Sequence, residues 1–157
     1  MATKYFANAF LLFAFSFTGF CTIDAQDNDS LVQLRIRSQQ YVFVPQSFSS
    51  PSIYAPIMAK DYKLEVKNDS VIVALPYFGK SDRAQFGRAD DDAGIRFTST
   101  SFAYSAVAKK KGKWEITIEP KDAKGVRLFL TIYKNGDAQM DVTSPLKETM
   151  LFKGYVW

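Results

Sequence analysis

Val71-Ile72-Val73-Ala74-Leu75-Pro76-Tyr77-Phe78-Gly79 is the stretch whose reading decides the fold class. Its first five residues are apolar without a break, the pattern of a strand covered on both faces or of a short buried helix. Three of the five are β-branched, which fits a pleated surface better than a helix. Pro76 removes a ladder donor and ends the strand. Gly79 lets the chain turn. The expectation is a central strand that delivers Tyr77 and Phe78 to one end of the fold. Phe78 is expected inside. Tyr77 is expected at the rim, where its hydroxyl meets water or a partner.

Working outward, the neighbouring segments also read as strands. Upstream, Tyr62, Leu64 and Val66 alternate with Lys63, Glu65 and Lys67, one face in and one face wet. Asn68-Asp69 reads as a two-residue hairpin turn, since both residues tolerate positive φ. Tyr41-Val42-Phe43-Val44 reads as a strand ended by Pro45, and the Ser- and Pro-rich segment from Ser47 to Pro56 as a loop. Residues 26–40 fit a short helix carrying Leu31, Val32, Leu34 and Ile36, capped by Asp27, Asn28 or Asp29, while Leu34 and Ile36 alternating with Gln33, Arg35 and Arg37 equally fit a strand. Downstream, Ile95 and Phe97 belong to one strand, and Phe102, Tyr104 and Ala106 to the next. Lys109 to Gly112 form a charged hairpin tip. Trp114, Ile116 and Ile118 should then face inward, followed by Leu128, Leu130 and Ile132. Asn135-Gly136 is the strongest hairpin signal in the chain. Ala138, Met140 and Val142, then Met150, Phe152, Gly154 and Val156, complete the pattern.

About eight or nine short strands without an intervening long helix imply an antiparallel, all-β meander. Its apolar face and edges must be hidden, either in a lipocalin-like barrel, an incomplete one included, or in a two-sheet sandwich.

The chain begins with Lys4 and an apolar run from Phe6 to Phe17, followed by Ile23-Asp24-Ala25. This reads as a signal peptide, residues 1–25, cleaved before Gln26. A lipidated Cys21 is the alternative, although Phe20 and Thr18 do not suit it. Residues 26–157 then form a single β domain, exported to the periplasm or beyond the cell, with no stable membrane anchor. Cleavage removes the only cysteine, and the chain has no histidine. Catalysis by Ser–His or Cys–His pairs and His-ligated zinc are therefore excluded. A net charge of +4 does not argue for nucleic acid as a partner.

Several of these segments carry a resemblance. The run from Tyr62 to Gly79 is similar to the signature of domain of unknown function 4251. So are Phe97, Lys113-Trp114-Glu115-Ile116, Asn135-Gly136-Asp137-Ala138 and Phe152-Lys153-Gly154-Tyr155. That family comprises small exported proteins of Bacteroidota. Its members often carry a Gly-rich segment where Arg88 to Gly94 is acidic here. The resemblance implies export and an all-β fold, and it assigns no activity and no catalytic residue.

The remaining candidates each have a plain reading beside the functional one. Asp90, Asp91 and Asp92 offer oxygen ligands that suit calcium. Ser101 stands where the helix-loop-helix calcium pattern needs a glutamate, so a solvated loop is the first reading. Glu115 and Glu119 share one strand face and read as solvated, with acid–base work as the alternative. Lys109 to Lys111 read as a soluble turn rather than an anion site. No cofactor is expected. The functional expectation is a non-enzymatic exported binding module for a small apolar ligand or an envelope protein, with Tyr77 and Phe78 at its site, and a buried plug closing one end of the core is the plain reading of that pair. A carboxylate-dependent hydrolase and a structural envelope protein are the alternatives.

Overall fold

The computed structural model describes residues 24–51, 53–57, 61–77, 94–145 and 147–157. Helix α1 runs over Asp24–Ser38, starting ahead of the expected caps. Val32 and Ile36, four residues apart, are buried on one face, while Leu31 and Leu34 stay exposed. Arg35 and Arg37 lie in the last turn, where cations oppose the negative end of the helix dipole. The helix stops because Gln39 adopts a φ of 52°. Gln40 N–H then donates back to the Arg35 carbonyl (3.0 Å) and Gln39 N–H to the Ile36 carbonyl (3.3 Å), the Schellman arrangement.

Ten strands follow: β1 (Tyr41–Ser50), β2 (Ile53–Pro56), β3 (Lys63–Lys67), β4 (Ser70–Leu75), β5 (Ile95–Ser99), β6 (Phe102–Lys109), β7 (Lys113–Pro120), β8 (Arg127–Tyr133), β9 (Asp137–Ser144) and β10 (Lys147–Val156). Nine of them lie side by side in the order β5-β4-β3-β1-β10-β9-β8-β7-β6, and β2 folds back onto β1. Together they make a nearly closed, antiparallel, barrel-shaped sheet, as the alternation implied.

Strands β5 and β6 are the one consecutive pair past β2 that does not lie side by side. Every pairing is antiparallel. Counting neighbours from β1, β5 is third on one side and β6 fifth on the other, so both oppose β1 and run in the same sense. Only Thr100 and Ser101 join them, whereas a parallel neighbour needs a crossover of about a dozen residues. Strand β6 therefore continues β5 as one bent strand that hands the sheet from β4 to β7. The bend is fastened. Lys121 N–H donates to the Ser101 carbonyl at 2.8 Å, and the buried Ser99 hydroxyl lies between the Asp122 carboxylate and the Ser101 carbonyl.

Inward positions fill the barrel. Phe43, Leu64, Ile118, Leu130 and Phe152 are fully buried, and Val32 and Ile36 of α1 join the same core. Tyr104 ties helix to barrel, its hydroxyl donating to the Ile36 carbonyl at 3.2 Å. Tyr41, 3.4 Å away, completes the chain of hydroxyls. Burial first, and then Tyr104, push the Tyr41 hydroxyl pKa well above its usual value.

Four expectations need correction. Strand β4 is not covered on both faces: Val71, Val73 and Leu75 are buried, but Ile72 and Ala74 are half-exposed, and β4 sits one place from the end of the strand order. Pro45 does not end β1. The strand passes through a bulge between Pro45 and Ser47, where a missing donor is tolerated. The bulge shifts the buried phase from Tyr41, Phe43 and Pro45 to Phe48. Residues Ser47 to Pro56 are accordingly not a loop but a hairpin, with Ser47 opposite Pro56. Asn68 and Asp69 do form a turn, but without positive φ, which among described non-glycine residues occurs at Gln39 and Lys111.

A partly buried carboxylate, Asp141, lies on the outer face. Asp141 stands between Phe129 of β8 and Leu151 of β10, and loss of water raises its pKa. A carboxyl raised in the folded state contributes stability below the unfolded carboxylate range and loses it as pH rises. Asp141→Asn should therefore stabilise the protein at pH 7, by roughly 0.5 kcal/mol for such a surface site, and not at pH 3. Thermal melts at the two pH values check this, and an equal gain at both would assign the effect to something other than charge.

Candidate functional site

Among the described residues an open groove of about 650 Å³ lies where the end of α1 meets β1 and β3. Its apolar floor includes Tyr41, Val42 and Val66, and Arg35, Glu65 and Lys67 stand at its sides. Trp157, which follows β10, forms an aromatic wall. Its backbone extends the sheet, donating to the Val42 carbonyl at 3.1 Å while Val42 N–H donates to the Trp157 carbonyl at 3.0 Å. The main chain is thus fixed, yet the Trp157 side chain is 59% exposed. Glu65 is clamped by Lys63 (2.8 Å) and Lys67 (3.0 Å). These two ammonium groups hold its carboxyl below the usual range, so it is an ionised polar marker and a poor proton donor.

The residues singled out from sequence fall elsewhere. Tyr77 is buried at 6% exposure, not exposed at the rim. Its hydroxyl oxygen accepts the Glu148 N–H at 2.9 Å, so the polar tip finds a backbone partner at the start of β10. The neighbouring Glu148 Oε2 is buried with no hydrogen-bond partner among the described residues. Phe78 and the Asp90-Asp91-Asp92 run lie outside the described residues. Glu115 and Glu119 are on the outer face and paired, Glu115 with Lys113 (2.9 Å) and Lys109 (3.2 Å), and Glu119 with Arg127 (3.2 Å). Lys113 and Lys109 hold the Glu115 carboxyl below its usual range. Ile116 and Ile118 are buried as expected, and Trp114 packs half-buried against the same core.

Among the described residues no cluster of three candidate metal ligands occurs, and no helix is long and apolar enough to cross a membrane. Sequence reasoning missed Arg35, Tyr41 and Trp157 as groove residues. A signal for Trp157 was available: Met150, Phe152, Gly154 and Val156 point inward, so the next residue points out.

A crystal structure of a DUF4251 family protein from Bacteroides eggerthii is similar to this chain, with a TM-score of 0.64 over 83% of this chain and 87% of that one. At 13% identity that likeness shows a common fold. No curated protein matches the chain. Residues 24–156 match the family described as Domain of unknown function (DUF4251), and the chain belongs to that family.

Proposed function

We propose that this protein is an exported, non-enzymatic binding module whose site is the groove beside Trp157. The observation that supports the reading is the combination of a fixed backbone with an exposed indole at Trp157. A large ring presented at low entropic cost is the usual anchor of a recognition surface. The groove volume of about 650 Å³ suits a small molecule. The apolar floor favours a small apolar ligand or an apolar side chain of an envelope protein, and Arg35 and Lys67 supply cations at its border. Tyr77 has a structural part in this reading, and the ion-paired outer-face glutamates argue against a carboxylate hydrolase. Export rests on the apolar run from Phe6 to Phe17 and on Ile23-Asp24-Ala25.

Native mass spectrometry of the protein recovered from its own host tests both parts. The polypeptide should begin at Gln26 and carry an additional bound mass. That mass should be absent from the Trp157→Ala variant, whose folding stability should stay within about 1 kcal/mol because the ring is mostly exposed. A bare polypeptide for wild type, or the same bound mass in both proteins, would remove the groove as the site. A chain beginning at a lipid-modified Cys21 would make the protein membrane-anchored.

A further inference from the structure

We infer that the free edge of β6 pairs with the β6 edge of a second copy of this chain. Among the described residues the sheet has three places where a strand edge lacks a neighbour, and two of them are short or partly covered. Strand β2 is four residues long and ends in Pro56. The end of β5 is covered by Lys121 and Asp122, which bond Ser101 and Ser99. Strand β6 is different. It has eight residues and bonds β7 along one edge, and among the described residues no strand lies on the other. It contains no proline, and its run from Phe102 to Ala108 is uncharged. Ser105, Val107 and Ala108 are exposed. Folded proteins rarely leave such an edge unguarded, because its unpaired N–H and C=O groups are a template for another strand.

The charge pattern selects the occupant and its direction. Ser105 is the middle of the uncharged run. Antiparallel self-pairing about a two-fold axis at Ser105 sets Ala103 opposite the partner copy's position 107, and Lys109 opposite its position 101. The basic hairpin tip of each copy, Lys109 to Lys111, then arrives at the residues that precede β6 in the other. A cleft of about 410 Å³ lies there, bounded by Asn68, Asp69, Ser101, Phe102 and Tyr104. Asp69 is exposed and presents a carboxylate to the incoming ammonium groups. Parallel pairing would instead stack the two tips on each other. The contact is isologous, so it closes as a dimer and does not propagate.

Sedimentation equilibrium of the mature domain tests this, with variants at the axis. Wild type should be a dimer that weakens as salt rises, because the tip-to-Asp69 contact is ionic. Ser105→Lys and Ser105→Glu each place like charges opposite one another across the axis. Each should raise the dissociation constant by about tenfold or more. An equal mixture of the two variants should form the heterodimer, which also shows that both are folded. Asp69→Lys should weaken the wild-type dimer. A wild-type monomer at every concentration overturns the proposal, as do dimers that persist in both position-105 variants or a mixture that stays monomeric. A wild-type monomer that retains a foreign peptide lost in Ser105→Lys would assign the edge to another chain and equally overturn self-pairing.

Discussion

Gly154→Ala is expected to remove about 3 kcal/mol or more of folding stability. Gly154 lies in β10 opposite Pro45, at the bulge of β1. A Cβ there would overlap the Val44 carbonyl oxygen and lie 2.9 Å from the Pro45 Cα. Both obstacles are backbone, so no rotamer change relieves them, and the β1–β10 ladder itself has to move. Overpacking usually costs about 1–3 kcal/mol when side chains can adjust, and a rigid backbone obstacle belongs at or above the top of that range. Gly154 does not have the positive φ seen at Gly112, Gly125 and Gly136, so the penalty is one of space, not of conformation. With about 5–15 kcal/mol available to a domain, the variant should show a much earlier urea midpoint. A loss below about 1 kcal/mol would mean that the close approach at the bulge is wrong.

The same bulge shows why part of the fold was hidden from the sequence. Strands β7 to β10 were legible because two signals agree there. Period-2 alternation places Ile116, Ile118, Leu128, Leu130, Met140 and Phe152 inward, and each is buried. Asn135-Gly136 supplies the turn between β8 and β9. Even so, the turn spans three residues, and Gly136 carries the positive φ of 90°, as in a type I turn closed by a left-handed glycine. In β1, alternation and punctuation conflict. Pro45 reads as a stop, yet it sits at the bulge, the one interior place where a ladder tolerates it. The Ser-rich segment after it reads as a loop from composition, and composition carries no information about pairing with Phe152 and Leu151.

Long-range closure accounts for the rest. Nothing local distinguishes Thr100-Ser101 as a bend from the same residues as a hairpin turn. The distinction comes from β4 and β7 claiming opposite flanks of the bent strand. The groove is of the same kind. It brings together Arg35, Tyr41, Val66 and Trp157, residues from one helix end and three places in the sheet. The Tyr41–Tyr104 contact joins residues 63 positions apart. Each residue had a readable local role, such as the outward phase of Trp157, but their meeting depends on how the sheet curls. Phe78 and the aspartate run, prominent in sequence, lie outside the described residues, so their proposed roles stand where the sequence left them.

Tyr77→Ala should be among the most damaging substitutions in this chain, at about 3–5 kcal/mol, where a rim position would have meant a mild effect on stability. The ring is buried, so truncation leaves a cavity as well as losing the transfer energy of the ring. The hydroxyl adds a second component. It accepts the Glu148 N–H at 2.9 Å, linking the segment after β4 to the start of β10, 71 residues away. Removing it leaves that part-buried donor without its acceptor, which costs about 1–3 kcal/mol. Tyr77→Phe isolates this component, because the ring stays and only the oxygen goes. The two variants therefore rank: a loss of about 1–3 kcal/mol for phenylalanine and a larger one for alanine, read from urea melts with unchanged slopes. If Tyr77→Phe equals wild type, the hydroxyl contact does not hold the β10 corner. If Tyr77→Ala costs less than about 1 kcal/mol, the ring is not part of the core, and a ligand-facing role at this end of the barrel replaces the structural one.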